Sequence, residues 1–88
     1  MKPHVQNIRS RTGRAVPNQF EIIAADGVYF QSYSTVIAFR PRTGKVQLDP
    51  KWNCSRTTSI YRAEFLGEST AETQRKIDAG EYEVVNLN

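Results

Sequence analysis

Apolar and polar residues follow a strand-like pattern through the first half of the chain. The stretch QFEIIAADGVYFQSY, residues 19–33, places two runs of β-prone residues on either side of Asp26-Gly27. An Asp-Gly pair between such runs predicts a hairpin with a two-residue type I′ turn, because both central residues of that turn need positive φ. The register that follows puts Ile23 opposite Phe30. Both faces of this hairpin carry apolar residues, so we expect both to be covered.

Further strands are predicted after this hairpin. The stretch STVIAFR, residues 34–40, is dense in the β-branched and aromatic side chains that favour a strand. Thr43-Gly44 predicts a turn, and KVQLD, residues 45–49, alternates apolar and polar residues as a short half-buried strand does. Near the end of the chain, EYEVVNL predicts a last strand at residues 82–87.

A hydroxyl-rich run predicts the first of two helices. The side chains of Ser55, Thr57 and Thr58 are all competent to accept from the unpaired N–H groups of a first helical turn, which predicts a helix over residues 57–66. Gly67 suits the left-handed residue with which helices often end.

The second helix is predicted from a capping-box pair. Ser69 and Glu72 have the S-x-x-E spacing in which each side chain bonds the other's backbone N–H, and this predicts a helix over residues 70–79. Ile77 is its one strong apolar residue, so the helix is expected to be peripheral.

The order of these elements predicts an α+β fold. We expect a mostly antiparallel sheet of four to five strands, built as a β-hairpin meander, with two short helices packed on one face and a C-terminal strand. Residues 18–88 are predicted to form a single α+β domain. Residues 1–17 carry the cations Lys2, Arg9, Arg11 and Arg14 without an acid. Two interpretations of this segment stay open, a basic flexible arm and an edge strand.

Charged residues are unevenly distributed along the chain. The net charge is +3, but residues 1–62 contain ten Lys or Arg against three Asp or Glu, and residues 63–88 contain two against six. A basic face and an acidic face are therefore expected, and they suit phosphate backbones and basic protein surfaces respectively. No apolar run approaches the roughly 18 residues that span a bilayer, so no membrane partner is expected.

Enzymatic chemistry is not expected from these residues. The only cysteine is Cys54, and the only histidine is His4 in the N-terminal segment, where a base could not be held rigidly beside a nucleophile. Too few His and Cys residues are present for a metal cluster, and no glycine spacing resembles a phosphate loop. We therefore predict a protein without a catalytic site, cofactor or metal.

Basic residues interleaved with the only tryptophan give the candidate binding site. Such a segment suits a surface that follows a nucleic-acid backbone, where a ring stacks on an exposed base. A single tryptophan is more often a core residue, and the hydroxyl-rich run is more readily a helix cap than an anion site. The candidate partner-binding residues are Arg40, Arg42, Lys45, Lys51, Trp52, Arg56 and Arg62.

Several stretches also resemble a family of small proteins of bacteriophages and other mobile elements. The likeness is carried by YFQSYSTVIAF at residues 29–39, WNCSRTTSIYRAEFLGE at 52–68, and ETQRKIDAGEY with the terminal NLN. It covers most of residues 19–88 and implies a phage accessory protein in the cytoplasm of a bacterial host, without implying an activity or site residues.

Together these observations predict a non-enzymatic protein that binds and modulates or inhibits a host macromolecule. A host protein is the leading partner, by analogy with other small phage proteins and because the net charge is modest for a nucleic-acid binder. The alternative is a nucleic-acid-binding protein that uses a basic face around residues 40–62. The oligomeric state is left open, with a homodimer among the alternatives.

Overall fold

The computed structural model describes residues 3–10 and 12–88 and confirms the α+β fold class. A mostly antiparallel open sheet carries two helices on one face. In chain order the elements are β1 (His4–Arg9), β2 (Ala15–Ala24), β3 (Gly27–Ser32), β4 (Thr35–Pro41), β5 (Gln47–Leu48), α1 (Arg56–Leu66), α2 (Thr70–Asp78) and β6 (Glu83–Val84).

The sheet has six strands, against the four to five predicted, and they lie in it in the same order as in the chain. Neighbours from β1 to β5 are antiparallel, as hairpin connections require, and β6 returns after the helices to pair with β5 in parallel. The predicted last strand is much shorter than residues 82–87, because only Glu83 and Val84 reach the ladder.

The segment interpreted as an arm or an edge strand contains β1, which lies at one edge of the sheet. β2 starts at Ala15, so it runs through the boundary drawn between residues 17 and 18. Met1, Lys2 and Arg11, which belong to the same segment, lie outside the described residues.

The β2–β3 hairpin forms where the sequence predicts it, but with a different turn and register. Ile23 lies opposite Val28 and not Phe30, because the two loop residues are Ala25 and Asp26 and Gly27 already belongs to β3. Neither loop residue has positive φ, which excludes the predicted type I′ turn.

The surroundings of Gly27 explain why the hairpin register differs from the predicted one. Its φ is 149°, a backbone conformation that side chains rarely adopt, and a Cβ there would lie 2.4 Å from the carbonyl oxygen of Arg40. The ring of Phe39 would also be within 2.8 Å of that Cβ. The glycine is therefore required by the close approach of β4, and not by a tight turn.

The core lies between the sheet and the helices. The cluster of buried residues contains Phe30 on β3, Leu48 on β5 and Phe65 on α1, and the rings of Phe30 and Phe65 lie 5.7 Å apart. Residues of both helices, including Tyr61 and Ile77, pack against this cluster. Both faces of the hairpin were expected to be covered. The helices cover only one of them.

The helices begin and end close to their predicted bounds. Ser55 caps α1 by accepting from the N–H of Thr58 over 3.1 Å, while the hydroxyl of Thr58 lies 3.0 Å from that of Ser32 in the interior. The first helix therefore has one capping hydroxyl, and Thr58 instead joins α1 to β3. Gly67 ends α1 in the left-handed conformation. Ser69 likewise accepts from the N–H of Glu72 at the start of α2.

Candidate functional site

Two of the seven predicted site residues belong to the interior. Arg62 is fully buried and Trp52 is 9% exposed. The Arg62 guanidinium donates to the backbone carbonyl of Trp52 over 2.7 Å and to the hydroxyl of Thr70, and it lies 4.8 Å from the centre of the tryptophan ring. A guanidinium held in this way joins the β5–α1 connection to α2 and is not available to a partner.

Burial also acts on the charge of Arg62. Desolvation lowers the pKa of this guanidinium, and the negative charge of Glu68 opposes the shift. Arginine keeps its proton in proteins despite such shifts, so the interior contains a cation. Its Nε is buried and has no hydrogen-bond partner among residues 3–10 and 12–88.

Arg40 is engaged with the end of α1. Its Nη2 donates to the carbonyl of Phe65 over 2.7 Å, and its guanidinium carbon lies 4.6 Å from the centre of the Phe65 ring. Both contacts place a cation at a helix C-terminus, where the unpaired carbonyls favour positive charge. The residue is exposed, but its donors are directed into the fold.

Four predicted cations remain on the surface, and they are divided among three segments. Arg42 and Lys45 are in the β4–β5 connection, Lys51 is in the β5–α1 connection, and Arg56 is the first residue of α1. No hydrogen bond or ion pair within residues 3–10 and 12–88 joins any of the four to another. The predicted basic face around residues 40–62 is reduced to these four side chains.

The sheet presents a second surface that the sequence interpretation did not identify. Directly opposed pairs carry one row of side chains across the sheet, from Val5 to Ile22, Tyr29 and Phe39 on β1 to β4. An adjacent row, on the same side, includes Phe20, Gln31 and Val36. We call the side defined by Val5, Phe20, Ile22, Tyr29, Val36 and Phe39 the open face.

The open face lies away from the helices. None of its six residues belongs to the core cluster or to the residues packed against that cluster. Val5 is 59% exposed, and four of the others are partly exposed. Apolar side chains from four adjacent strands thus remain in contact with solvent, which is the usual mark of an interaction surface.

The aromatic part of the open face is rigid. The rings of Tyr29 and Phe39 stack with centres 4.2 Å apart and planes 16° from parallel. The hydroxyl of Tyr29 donates to the carboxylate of Asp26 over 2.9 Å, and this hydrogen bond raises the pKa of Tyr29, with burial and the Asp26 charge adding to the shift. One face of each ring is occupied by the other ring, and Phe39 is 9% exposed, so it offers little surface on which a base could stack.

The open face is also uncharged. The two rows contain no Lys, Arg, Asp or Glu from β1 to β4, and the first row continues through Gln47 on β5 to Glu83 on β6. The amide of Gln47 donates to the Glu83 carboxylate over 2.9 Å. This surface offers no cation to a phosphate backbone. The centres of protein–protein interfaces are depleted of charged residues in the same way.

The strongest polar clusters of the molecule are structural. The carboxylate of Glu68 accepts from Lys76 over 2.8 Å, from Tyr82 over 2.6 Å and from Thr73 over 2.7 Å. Burial acts to raise the pKa of Glu68, but these three hydrogen bonds outweigh it and the pKa is lowered. The network fastens α2 and the segment before β6 to the loop between the helices.

Asp49 holds the C-terminal segment in a comparable way. It is 3% exposed and accepts from the backbone N–H groups of Lys51 and Leu87 and from the side chain of Asn88, each over 3.0 Å. Burial acts to raise the pKa of Asp49, and these hydrogen bonds turn the shift downward. A surface cavity of about 400 Å³ includes Asp49, but the carboxylate oxygens are already engaged there.

The residues that a catalytic site would need are scattered. His4 lies on the exposed edge strand, with its ring 3.3 Å from the side chain of Gln6, and Cys54 is exposed before α1. Within the part of the chain that the structure describes, no three His, Cys, Asp or Glu residues form a group that could hold a metal ion. In the same part, neither helix has the length and apolar character to cross a bilayer.

The sequence contains a feature from which the open face could have been predicted. Both sides of the hairpin around Asp26-Gly27 are apolar, and this was interpreted as burial on both sides. Two helices joined by a loop as short as residues 67–69 lie on the same side of a sheet. No further element is then left to cover the other side of the sheet, which is predicted to be exposed to solvent.

Comparison with protein families identifies the family of this chain. The model of a family of unknown function, DUF8033, matches residues 4–81. Comparisons with curated proteins and with solved structures give no match. Because the family model spans all the elements from β1 to α2, the chain belongs to the DUF8033 family.

Proposed function

We propose that this chain is a non-enzymatic binding protein that attaches to another protein through its open face. The observation that carries the proposal is the row Val5, Ile22, Tyr29 and Phe39, an uncharged apolar surface across four strands on the side away from the helices. Protein interfaces combine such apolar and aromatic centres with low charge. Their rigid aromatics lose little conformational freedom on binding, which favours affinity.

The biological setting is part of the same proposal. The resemblance to small proteins of bacteriophages supports an accessory protein that acts in the cytoplasm of a bacterial host and modulates or inhibits a host protein. The open face supports a protein target over nucleic acid, because phosphate contacts dominate nucleic-acid affinity and require cations that this face lacks.

The test is a comparison of two lysine variants in an affinity capture from host lysate, with and without nuclease. Ile22→Lys introduces a charge near the centre of the open face, and Ile60→Lys introduces the same charge on α1, where Ile60 is 48% exposed. We expect a captured protein that survives nuclease, is lost with Ile22→Lys and is retained with Ile60→Lys. Circular dichroism and thermal melting confirm that both variants are folded.

Nucleic-acid binding is the alternative proposal, and it rests on the four exposed cations. Material that disappears on nuclease treatment and survives Ile22→Lys would favour it. Binding of single-stranded and duplex DNA and RNA should then weaken with salt, by about 0.7 to 0.9 log unit per phosphate contact for each log unit of salt. Replacing Arg42 and Lys45 together by Gln should lower that slope, because both side chains are exposed.

A further inference from the structure

The two edges of the sheet differ in a way that points to a partner for one of them. β6, at one edge, pairs over two residues, whereas β1, at the other, is a strand of six residues. β1 has a neighbour on one side only, so about half of its backbone N–H and C=O groups are directed away from the sheet. An edge of this length is a template for another strand.

Several devices that usually protect an edge are missing from β1, and the one irregularity of its pairing lies at its Arg9 end. The strand HVQNIR contains no proline and no lysine, and its only fully charged residue is Arg9 at its end. The irregularity in the β1–β2 pairing leaves the first four residues of β1 in regular register with β2, from His4↔Ile23 to Asn7↔Phe20. Four of the six residues, from His4 to Gln6 and Arg9, are exposed, so neither helix covers this edge.

We propose that β1 pairs antiparallel with β1 of a second copy of this chain around a two-fold axis. The centre of the strand, from Val5 to Ile8, is uncharged, and the cation Arg9 lies at one end. Antiparallel pairing centred on Asn7 places Arg9 opposite Val5 of the partner, and pairing centred on Gln6 places it opposite Pro3. Two copies of Arg9 therefore do not meet, whereas parallel pairing would set them side by side. The strand is thus complementary to itself in the antiparallel direction.

Such a dimer would join two six-stranded sheets into one. A two-fold axis perpendicular to the sheet keeps corresponding faces on the same side, so the two open faces become continuous. Six residues of strand span about 20 Å, which provides only a small interface. We therefore expect association that depends on concentration in the micromolar to millimolar range. This inference does not rest on the proposed function, because it concerns the chain alone.

Cysteine cross-linking tests the register. In a background with Cys54→Ser, Gln6→Cys or Asn7→Cys puts one thiol at the proposed symmetry centre, and Lys45→Cys is the control on an exposed loop. Opposed strand residues have Cβ atoms about 4.5 to 5.5 Å apart, close to disulfide reach. On mild oxidation we expect a covalent dimer for position 6 or 7 at least tenfold faster than for position 45. Equal rates at all three positions would overturn the proposal.

Sedimentation of the unmodified chain gives an independent measurement. The expected mass rises from that of one 10.0 kDa chain towards twice that value as concentration increases. Val5→Lys, in the exposed part of β1, should weaken association at least tenfold, and Ile60→Lys should leave it unchanged. A chain that stays monomeric to millimolar concentration refutes the dimer. A strand of another protein would then be the candidate partner of the β1 edge. A dimer that forms although the parent chain captures no host protein would support this inference and refute the proposed function.

Discussion

Replacement of Arg62 tests whether a buried cation holds the two helices together. The guanidinium bonds the carbonyl of Trp52 and the hydroxyl of Thr70, and it lies against the tryptophan ring. Arg62→Ala removes all three contacts at a fully buried position. Arg56 lies on the same helix with an exposed side chain, so Arg56→Ala is the matched control.

The cost follows from these contacts. Truncation of a long buried side chain costs about 2 kcal/mol or more in lost packing. Each buried acceptor that loses its donor costs about 1 kcal/mol further, and there are two of them here, the Trp52 carbonyl and the Thr70 hydroxyl. Relief from burying a charge offsets part of this. We expect a net loss of about 3 to 4 kcal/mol, against a total stability of roughly 5 to 15 kcal/mol for a domain of ordinary stability.

Thermal and urea unfolding measure the effect, with the single tryptophan as a fluorescent probe at the site of the change. For a domain of this size, about 3 kcal/mol corresponds to a fall in Tm of at least about 12 °C. Arg56→Ala should stay within about 0.5 kcal/mol of the parent, because exposed charges contribute little. Arg62→Met, which keeps most of the volume, should lie between the two. If Arg62→Ala and Arg56→Ala have the same Tm, the buried guanidinium does not stabilise the fold and the reasoning is wrong.

Three further predictions concern stability. Gly27→Ala should lower Tm far more than Gly44→Ala, because both glycines have positive φ but only the first would drive a Cβ into a neighbouring strand; equal losses in thermal melts would refute the packing argument. The depressed pKa of Glu68 contributes stability above the unfolded pKa of about 4.3 that is lost as pH falls through the folded value; urea titrations between pH 2 and 6 should show a flatter pH dependence for Glu68→Gln, and parallel curves would contradict this. Ser55→Ala should cost about 1 kcal/mol in urea unfolding, and no measurable cost would mean that the cap does not matter.

Features set by neighbouring residues were the ones predictable from the sequence. The caps at Ser55 and Ser69 and the glycine that ends α1 are local, since each acts within one helical turn. They placed both helices within a residue or two of their observed bounds. The fold class followed from the order of the elements, which depends on the same local signals.

Features decided by distant contacts could not be predicted in this way. The hairpin register depends on the approach of β4 to Gly27, which no local rule contains. No local pattern distinguishes Arg62 from an exposed cation, so its burial follows only from its contacts with Trp52 and α2. The same tertiary placement removed Arg62 and Trp52 from the predicted surface and directed Arg40 to Phe65.

The candidate site was only partly accessible to sequence reasoning for a related reason. A strand pattern shows which residues share a face but not what covers it. Ile22, Tyr29 and Phe39 could be assigned to one side of the sheet, and the uncovered state of that side became visible only with the helices in place.

The agreement between strand order and chain order has a consequence for the folding pathway. Each strand from β1 to β4 meets its neighbour through a short connection, so these hairpins close small loops at low entropic cost and can form early. β6 reaches β5 only after residues 49–82 have been arranged around both helices, and it contributes two residues of ladder. The parallel pair therefore closes last and opens first, and amide protons near Val84 should exchange with solvent well before those in the β2–β3 hairpin.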